Sequence, residues 1–484
     1  MGSLSSHVKK AGKAGVVTAT GNYSVYFLTI VAQLWLTRML LPAEFGTYAI
    51  VTIAVEVAYA VLMIEFSTVA LYRMEDENVF HTAVVMASLW VLLLALICLV
   101  LGNALDAWFQ RELIVVGTVL LISKAIFGIG AIYAAYLEKD YGFGLMTVLR
   151  GFSKAVGIGI GLVAANLNYG VFSLLAIDAI YYALSSVLAI GCSRLQLNVR
   201  AFKWDLARFI IKNGSSQVLF RISGILLYRG PLLAIEILTS NRALVGLAER
   251  AFYIAGLANA VASSFHTKVA FILFKNLSAN EPEYRQFLAF LLWLTSRLLL
   301  PLVFVLAGFS TEIINVAFGP KWRPSAKFLE DLALYSACAI IFTILTQVLL
   351  VQWRIIIVSL TQGVLALVTV AVAILCKQLS EDLVWIASAV SFSFLLGCVF
   401  FFVLTHKGIS SACHLGFGTL VPLILAAVVG KASAGIGAYG MAIVGLGVLL
   451  VVCLVDFLQY RYFLRSALQA LRRLAEARHG RTDG

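Results

Sequence analysis

The stretch LIVVGTVLLISKAIFGIGAIYAAYL, residues 113–137, decides the fold. It carries a single charge, Lys124, close to its middle. At 1.5 Å per residue a helix of this length reaches about 37 Å, enough to cross the roughly 30 Å hydrocarbon core of a bilayer. Barrel strands are shorter and alternate in polarity, and this stretch does neither. It reads as a membrane-spanning helix with an ammonium group near the bilayer midplane.

The same pattern recurs along the chain. Of 484 residues, 62% are hydrophobic and 12% charged, against about 45–50% and 25% in soluble domains. About fourteen runs are long and apolar enough to span, at roughly 17–40, 45–70, 80–102, 113–137, 144–165, 169–192, 208–233, 243–268, 286–309, 328–352, 354–376, 383–405, 415–431 and 437–460. The expected fold is therefore an all-α polytopic membrane protein. The formal charge of +12 belongs to basic loops on one side of the membrane rather than to a nucleic-acid partner. With the N-terminus in the cytoplasm, about 21 Lys and Arg fall in inner segments and about 9 in outer ones, a positive-inside bias that puts both termini in the cytoplasm. The seven cysteines are scattered without a CxxC and read as free thiols, and Cys413-His414 beside His406 reads as a loop coincidence rather than a metal centre.

The longest polar connection, SRLQLNVRAFKWDLARFIIKNG from Ser193, falls near the middle of the chain. The halves echo each other across it. LTRMLLPAEFGTYAIV (36–51) and ILTSNRALVGLAERAF (237–252) hold equivalent places, as do DAWFQRELIVVGTVL and EIINVAFGPKWRPSAKFLEDLAL. Parallel repeats of this kind imply two pseudo-symmetric six-helix bundles around a central cavity. The expected organisation is a first bundle at 1–192, a cytoplasmic linker at 193–207, a second bundle at 208–405, two additional helices at 406–460 and a basic cytoplasmic tail at 461–484, the last suited to an anionic membrane surface.

Six of the 36 Lys and Arg lie more than five residues inside an apolar run: Lys124, Arg150, Lys154, Arg221, Arg250 and Arg297. A cation at the midplane costs roughly 2.5–3.5 kcal/mol on the insertion scale, so such residues face protein partners or water. The embedded acids are Glu56, Glu65, Asp178 and Glu249, with Asp456 near the end of the last run. Fixed ion pairs account for some of the cations. The surplus points to a hydrated cationic cavity that holds an anion, where Arg grips phosphate bidentately and Lys acts as a point charge. Phosphate or pyrophosphate on a lipid carrier fits this cavity, and so do small organic anions. Glu56, Glu65 and Asp178 either carry a proton or serve as fixed partners of these cations.

The segment Thr37-Arg38 … Pro42-Ala43-Glu44-Phe45-Gly46-Thr47-Tyr48 resembles the junction of the first two spans in polysaccharide flippases of the multidrug/oligosaccharidyl-lipid/polysaccharide exporter superfamily. FGPKWRPSA at 318–326 is similar to that family's outer loop between spans nine and ten. The resemblance implies translocation of undecaprenyl-pyrophosphate-linked oligosaccharide from the inner to the outer leaflet of the bacterial inner membrane, for lipopolysaccharide or exopolysaccharide synthesis. It implies alternating access, no covalent chemistry, no bound cofactor and coupling to a proton or sodium gradient. Membrane lipid is a partner by this reading, which also admits a polysaccharide polymerase and a chain-length regulator. Two departures stand out. ALVGLAERAF lacks the Pro and Phe-Gly-x-Tyr of its first-half counterpart, and SSFHTKVAFILFKNL lacks the family's Pro after span eight. No motif carries a binding residue over, so the six cations rest on depth alone. The rival readings are an ion-coupled drug or small-molecule exporter of the same superfamily, whose cavity would be acid-rich, and a membrane polysaccharide polymerase, which would carry a larger outer loop.

Overall fold

The computed structural model describes residues 23–62, 77–105, 111–139, 143–193, 195–265, 282–352, 354–379, 384–405, 409–434 and 443–452, with Gly21 and Gly440. Glu65, His406, Asp456 and the tail 461–484 lie outside the described residues, as do the side chains of Cys413 and His414. Every described element is helical. In chain order these are α1 (23–39), α2 (Pro42–Leu62), α3 (Glu77–Leu105), α4 (Arg111–Lys139), α5 (Phe143–Asn166), α6 (Val171–Cys192), α7 (Trp204–Thr239) and α8 (Arg242–Phe265). Then come α9 (Pro282–Gly308), α10 (Ser310–Ala317), α11 (Ser325–Asp331), α12 (Ala333–Val351), α13 (Ile355–Leu379), α14 (Trp385–Thr405) and α15 (Ile409–Ala432), and finally α16 (Ile443–Val452). A helix satisfies its own backbone, which is why long apolar runs take this form in lipid.

The protein is a multi-pass membrane protein: 10 described helices are long and apolar enough to cross a bilayer. The expected fourteen spans are not all reached among the described residues. The apolar parts of α15 and α16 are shorter, α1 is described over 23–39 only, and α8 carries Arg242, Glu249 and Arg250. The single run expected at 328–352 is two helices, α11 and α12, joined at Leu332.

Packing groups the chain into residues 1–249 and 250–484. In the first unit α6 is the hub, lying along α5 and α4, while α4 also packs on α3 and α2. Phe80 of α3 meets Tyr133 and Tyr136 of α4 edge-on, each at 5.0 Å between centroids. Leu206, Ala207 and Ile210 at the start of α7 are buried in the same cluster, and α7 packs on α2 and α3. These contacts place α7 in the first unit, so the compact division comes after the 193–207 connection.

In the second unit α12 is buried on every side, with Ala337, Cys338, Ala339, Ile341, Ile344 and Leu345 sealed from solvent. A helix apolar all round belongs in such a position. Phe342 stacks on Phe401 of α14 at 4.8 Å. Gly397 of α14 gives room for this, because a Cβ there would sit 2.8 Å from the Phe342 ring.

The sequence repeat reappears as packing order. In the first unit α4 and α5 lie on α6, and α3 on α4; six apolar runs later, α12 and α13 lie on α14, and α9 on α12. The thirteenth run, α15, packs chiefly on α9. Its Lys431 reaches Asp331 at 2.5 Å and Glu330 at 3.4 Å with 55% of its side chain exposed. Exposed pairs contribute little, so Lys431→Ala is expected to cost no more than about 1 kcal/mol. Thermal unfolding in detergent checks this.

Candidate functional site

The stretch from Leu41 to Tyr48 sets the position of α2. Pro42 opens the helix, where its missing N–H costs nothing. Glu44 caps it, its carboxylate accepting from the Leu41 backbone N–H at 2.6 Å. The other Glu44 oxygen lies where a Cβ on Gly170 would come within 2.5 Å, and Gly170 holds φ 55° at the head of α6. Gly46 permits a close crossing with α8. A Cβ on Gly46 would fall 1.8 Å from the Arg242 carbonyl oxygen, and one on Gly246 would fall 1.8 Å from the Pro42 carbonyl oxygen. The contact is reciprocal. Gly246 is therefore the second-repeat counterpart of Gly46, hidden in ALVGLAERAF by the missing Pro and aromatic residues.

Tyr48 then points at the charged cluster. Its hydroxyl donates to Asp178 Oδ2 at 2.6 Å, and Lys154 Nζ donates to Asp178 Oδ1 at 2.8 Å. One carboxylate on α6 thus ties α2 and α5 together. Lys124 Nζ of α4 lies 3.8 Å from Glu56 Oε1 of α2 and 5.3 Å from the centre of the Tyr59 ring. Lys154 Nζ lies 5.1 Å from the Tyr181 ring. Phe127, Tyr181 and Tyr182 pack within 5.2–5.8 Å of one another.

Two arginines of α7 join this cluster. Arg221 is in electrostatic reach of Glu56 and Tyr59. Lys124 is in reach of Asp178 and also of Arg229. The sequence assigns Arg229 to an outer segment, because the run is expected to end near 233. In the structure α7 continues to Thr239, ten residues beyond Arg229, so Arg229 stands within the helix rather than in a loop. Among the described residues no carboxylate stands within ion-pair distance of Arg229. The signal was present in ILLYRGPLLAIEIL (225–238), which stays apolar around its charges. The cluster is thus built on two ion pairs, Lys124 with Glu56 and Lys154 with Asp178, with Arg221 and Arg229 of α7 adding positive charge within electrostatic range. An anion entering it would balance the charge.

The remaining sequence candidates are placed differently. Arg150 pairs with Glu138 at 3.2 Å, so the i,i+4 cations Arg150 and Lys154 are separated by having one acid each. In the second unit Arg250 is buried, its guanidinium 4.9 Å from the Tyr253 ring and 6.0 Å from that of Phe318. The family-like loop at 318–326 is thus folded inward, with Trp322 fully buried. Arg297 donates to Ser296 Oγ at 2.9 Å and lies 5.7 Å from the Trp293 ring. Glu249 sits half-buried on α8 at the end of the first unit. Among the described residues no group of three or more His, Cys, Asp or Glu side chains is placed to hold a metal ion.

The sequence profile described as "polysaccharide biosynthesis protein" matches residues 35–327. The chain belongs to this family. The resemblance of its first junction to polysaccharide flippases is thereby borne out at the level of family. Solved structures similar to this polysaccharide biosynthesis protein are membrane transporters. An inward-facing multidrug resistance transporter of the MATE family, in the MOP superfamily, gives a TM-score of 0.63 at 12% identity, covering 83% of this chain and 99% of its own. The lipid II flippase MurJ, in an inward closed conformation, gives 0.57 at 12%, covering 91% and 99%. A MOP superfamily transporter from Pyrococcus furiosus gives 0.60 at 14%, covering 83% and 96%. The chain shares its fold with these structures. No curated protein gives a significant sequence match.

Proposed function

We propose that this protein is a flippase that moves undecaprenyl-pyrophosphate-linked oligosaccharide from the inner to the outer leaflet of the bacterial inner membrane. It would do so by alternating access, with both termini in the cytoplasm and no covalent step. The carrying observation is the gathering of two lysine–carboxylate pairs and two further arginines inside membrane-spanning helices. Family membership supplies the polysaccharide pathway. The likeness to the lipid II flippase structure agrees with a lipid-linked substrate.

The chemistry follows from the residues. A pyrophosphate needs several donors in a site of low dielectric. Arg221 and Arg229 offer planar forks for its oxygens, while Lys124 and Lys154 offer point charges. Glu56 and Asp178 hold the two lysines in place when the anion is absent, so the empty site is not a bare cluster of like charges. They also keep the anion from binding too tightly to leave. The Tyr59 and Tyr181 rings flank the two ammonium groups and offer the sugar both an apolar face and a hydroxyl. A proton or sodium gradient would act through Glu56 or Asp178, whose charge sets the hold on the lysines. A polysaccharide polymerase and a chain-length regulator would receive the product.

The test is translocation in proteoliposomes, reading leaflet accessibility of a fluorescent lipid-linked oligosaccharide. Wild type is expected to flip, and Lys124→Gln, Arg221→Gln and Arg229→Gln to lose at least about tenfold in rate, equivalent to about 1.4 kcal/mol. Absence of flipping by folded wild type under an imposed gradient would overturn the reading in favour of an exporter of small molecules.

A further inference from the structure

The connection that leads into α7, residues 195–203, is fastened to the first unit. The Asn198 N–H donates to His81 Nδ1 at 3.3 Å and the Lys203 N–H to Thr82 Oγ1 at 3.2 Å, both near the start of α3. Between these ties Asn198 Oδ1 accepts from the Arg200 N–H at 3.1 Å and caps a single helical turn, Val199–Ala201. Phe202 packs on the core of this unit, and Leu206, Ala207 and Ile210 bury one face of α7 in it. The backbone is therefore fixed, and so are the positions from which its outward side chains extend.

The opposite face of α7 is open. Trp204, Arg208, Lys212, Leu219, Leu226 and Ile237 follow one another at helical spacings and all are exposed. The character of this face changes once along its length. From Leu219 onward it is apolar, and exposed leucines and isoleucines of a spanning helix belong against acyl chains. Its first turns hold Trp204, Arg208 and Lys212, so the boundary between hydrocarbon and headgroups falls between Lys212 and Leu219. The positive-inside orientation puts that boundary on the cytoplasmic side. Arg200 and Lys203 of the connection are exposed as well. Among the described residues none of these four cations makes an ion pair. Asp205 is the single carboxylate in residues 195–212. Trp204 is 74% exposed, with only the edge of Phe202 against it at 5.2 Å between centroids. An indole so placed, with basic neighbours, suits the headgroup level of a bilayer.

The spread of the charges selects the partner. Arg200, Lys203, Arg208 and Lys212 are distributed over a turn and the start of a helix rather than gathered round one point, which suits a surface of many anions. The apolar continuation of the same face selects lipid over a soluble acidic protein. We propose that residues 195–212 form a docking plate for anionic phospholipid headgroups of the cytoplasmic leaflet, with Trp204 seated among the headgroups and the four cations holding their phosphates. The plate is tied to α3 and continues into the helix that bears Arg221 and Arg229, so lipid held there sets the depth of that helix in the membrane. The inference rests on the positive-inside orientation and is independent of the flippase reading.

Fluorescence quenching by brominated lipid tests it. The full chain is reconstituted into phosphatidylcholine vesicles holding a minor fraction of phosphatidylglycerol, with bromine near the carboxyl end of the acyl chains of one lipid or the other at equal mole fraction. The chain holds 8 tryptophans, so the Trp204 signal is taken as the difference between each protein and its Trp204→Phe form. Brominated phosphatidylglycerol is expected to quench this signal more than brominated phosphatidylcholine does. Arg208→Gln/Lys212→Gln alters only exposed side chains and is expected to reduce that preference at least about fivefold. Raising the salt concentration is expected to reduce it too. Equal quenching by the two lipids in wild type would overturn the inference, as would an unchanged preference in the folded double variant. Quenching by neither lipid would place Trp204 in water, overturn the inference and leave the patch to a soluble acidic partner.

Discussion

Asp178→Ala is expected to destabilise the protein by about 3 kcal/mol, the lower end of the cost of leaving one member of a buried ion pair without its partner, because this pair is half-buried. Asp178 uses both carboxylate oxygens, one for Tyr48 and one for Lys154. Its removal strands an ammonium group on a side chain that is only 14% exposed, and it also orphans a tyrosine hydroxyl. Interhelical hydrogen bonds in membranes average only about 0.6 kcal/mol, because the unfolded state in lipid finds partners as well. Most of the loss therefore comes from the isolated charge rather than from either hydrogen bond. Two further variants separate these contributions. Asp178→Asn keeps an acceptor for Tyr48 and is expected to recover only a minor part of the loss. Lys154→Met in the Asp178→Ala background removes the stranded cation and is expected to recover most of it. Thermal unfolding in detergent of wild type, Asp178→Ala, Lys154→Met and the double variant gives the coupling energy. Asp178→Ala with wild-type stability would show that the pair is incidental.

Gly46→Val is expected to be as damaging, through backbone rather than charge. Any Cβ at this position lands 1.8 Å from a carbonyl oxygen of α8. A flexible side chain could turn away from such a clash, but a helical carbonyl cannot. The two helices must separate, which also draws Tyr48 from Asp178 one half-turn further along α2. Overpacking of a core typically costs 1–3 kcal/mol, and a clash with backbone belongs at or above about 3 kcal/mol. Gly246→Val is expected to match it, since the contact is reciprocal, and the double variant to lose less than the sum because both break one crossing. Gly256 on the same helix has open space around its Cα. Gly256→Ala is therefore expected to be neutral or to gain up to about 1 kcal/mol from helix propensity. Equal stability of Gly46→Val and Gly256→Ala would sink the close-crossing account.

The helices were legible because lipid makes hydropathy decisive: runs of Leu, Ile, Val and Ala of spanning length became helices at their expected places. Their ends were less legible where a charge interrupted the run. Arg229 and Glu236 made α7 look finished near residue 233, yet the helix continues to Thr239, with Glu236 paired to Arg242 at 3.9 Å. Depth alone found Lys124, Lys154, Arg221, Glu56 and Asp178, because a buried charge in an apolar run needs company. It did not say whose company. Lys124 meets an acid two helices away in sequence and Lys154 one on the next helix. Arg250 and Arg297 also lie within apolar runs but rest against aromatic rings, which a count of acids and bases does not reveal. The repeat was faint in sequence because only Gly46 and Gly246 make the close crossing, while in the first half Pro42 opens α2 and Tyr48 reaches Asp178, roles without a counterpart in ALVGLAERAF.

A binding measurement reaches the central claim without requiring a complete transport cycle. Sugar-free undecaprenyl pyrophosphate is titrated into the purified protein and into an Arg221→Gln/Arg229→Gln double variant, at two salt concentrations. The cationic cluster predicts that wild type binds, that binding weakens with salt as screening grows, and that the double variant binds at least about a hundredfold more weakly, equivalent to about 2.8 kcal/mol. Equal affinity in the folded double variant would contradict the account, and the anion would have to be sought away from Lys124, Lys154, Arg221 and Arg229.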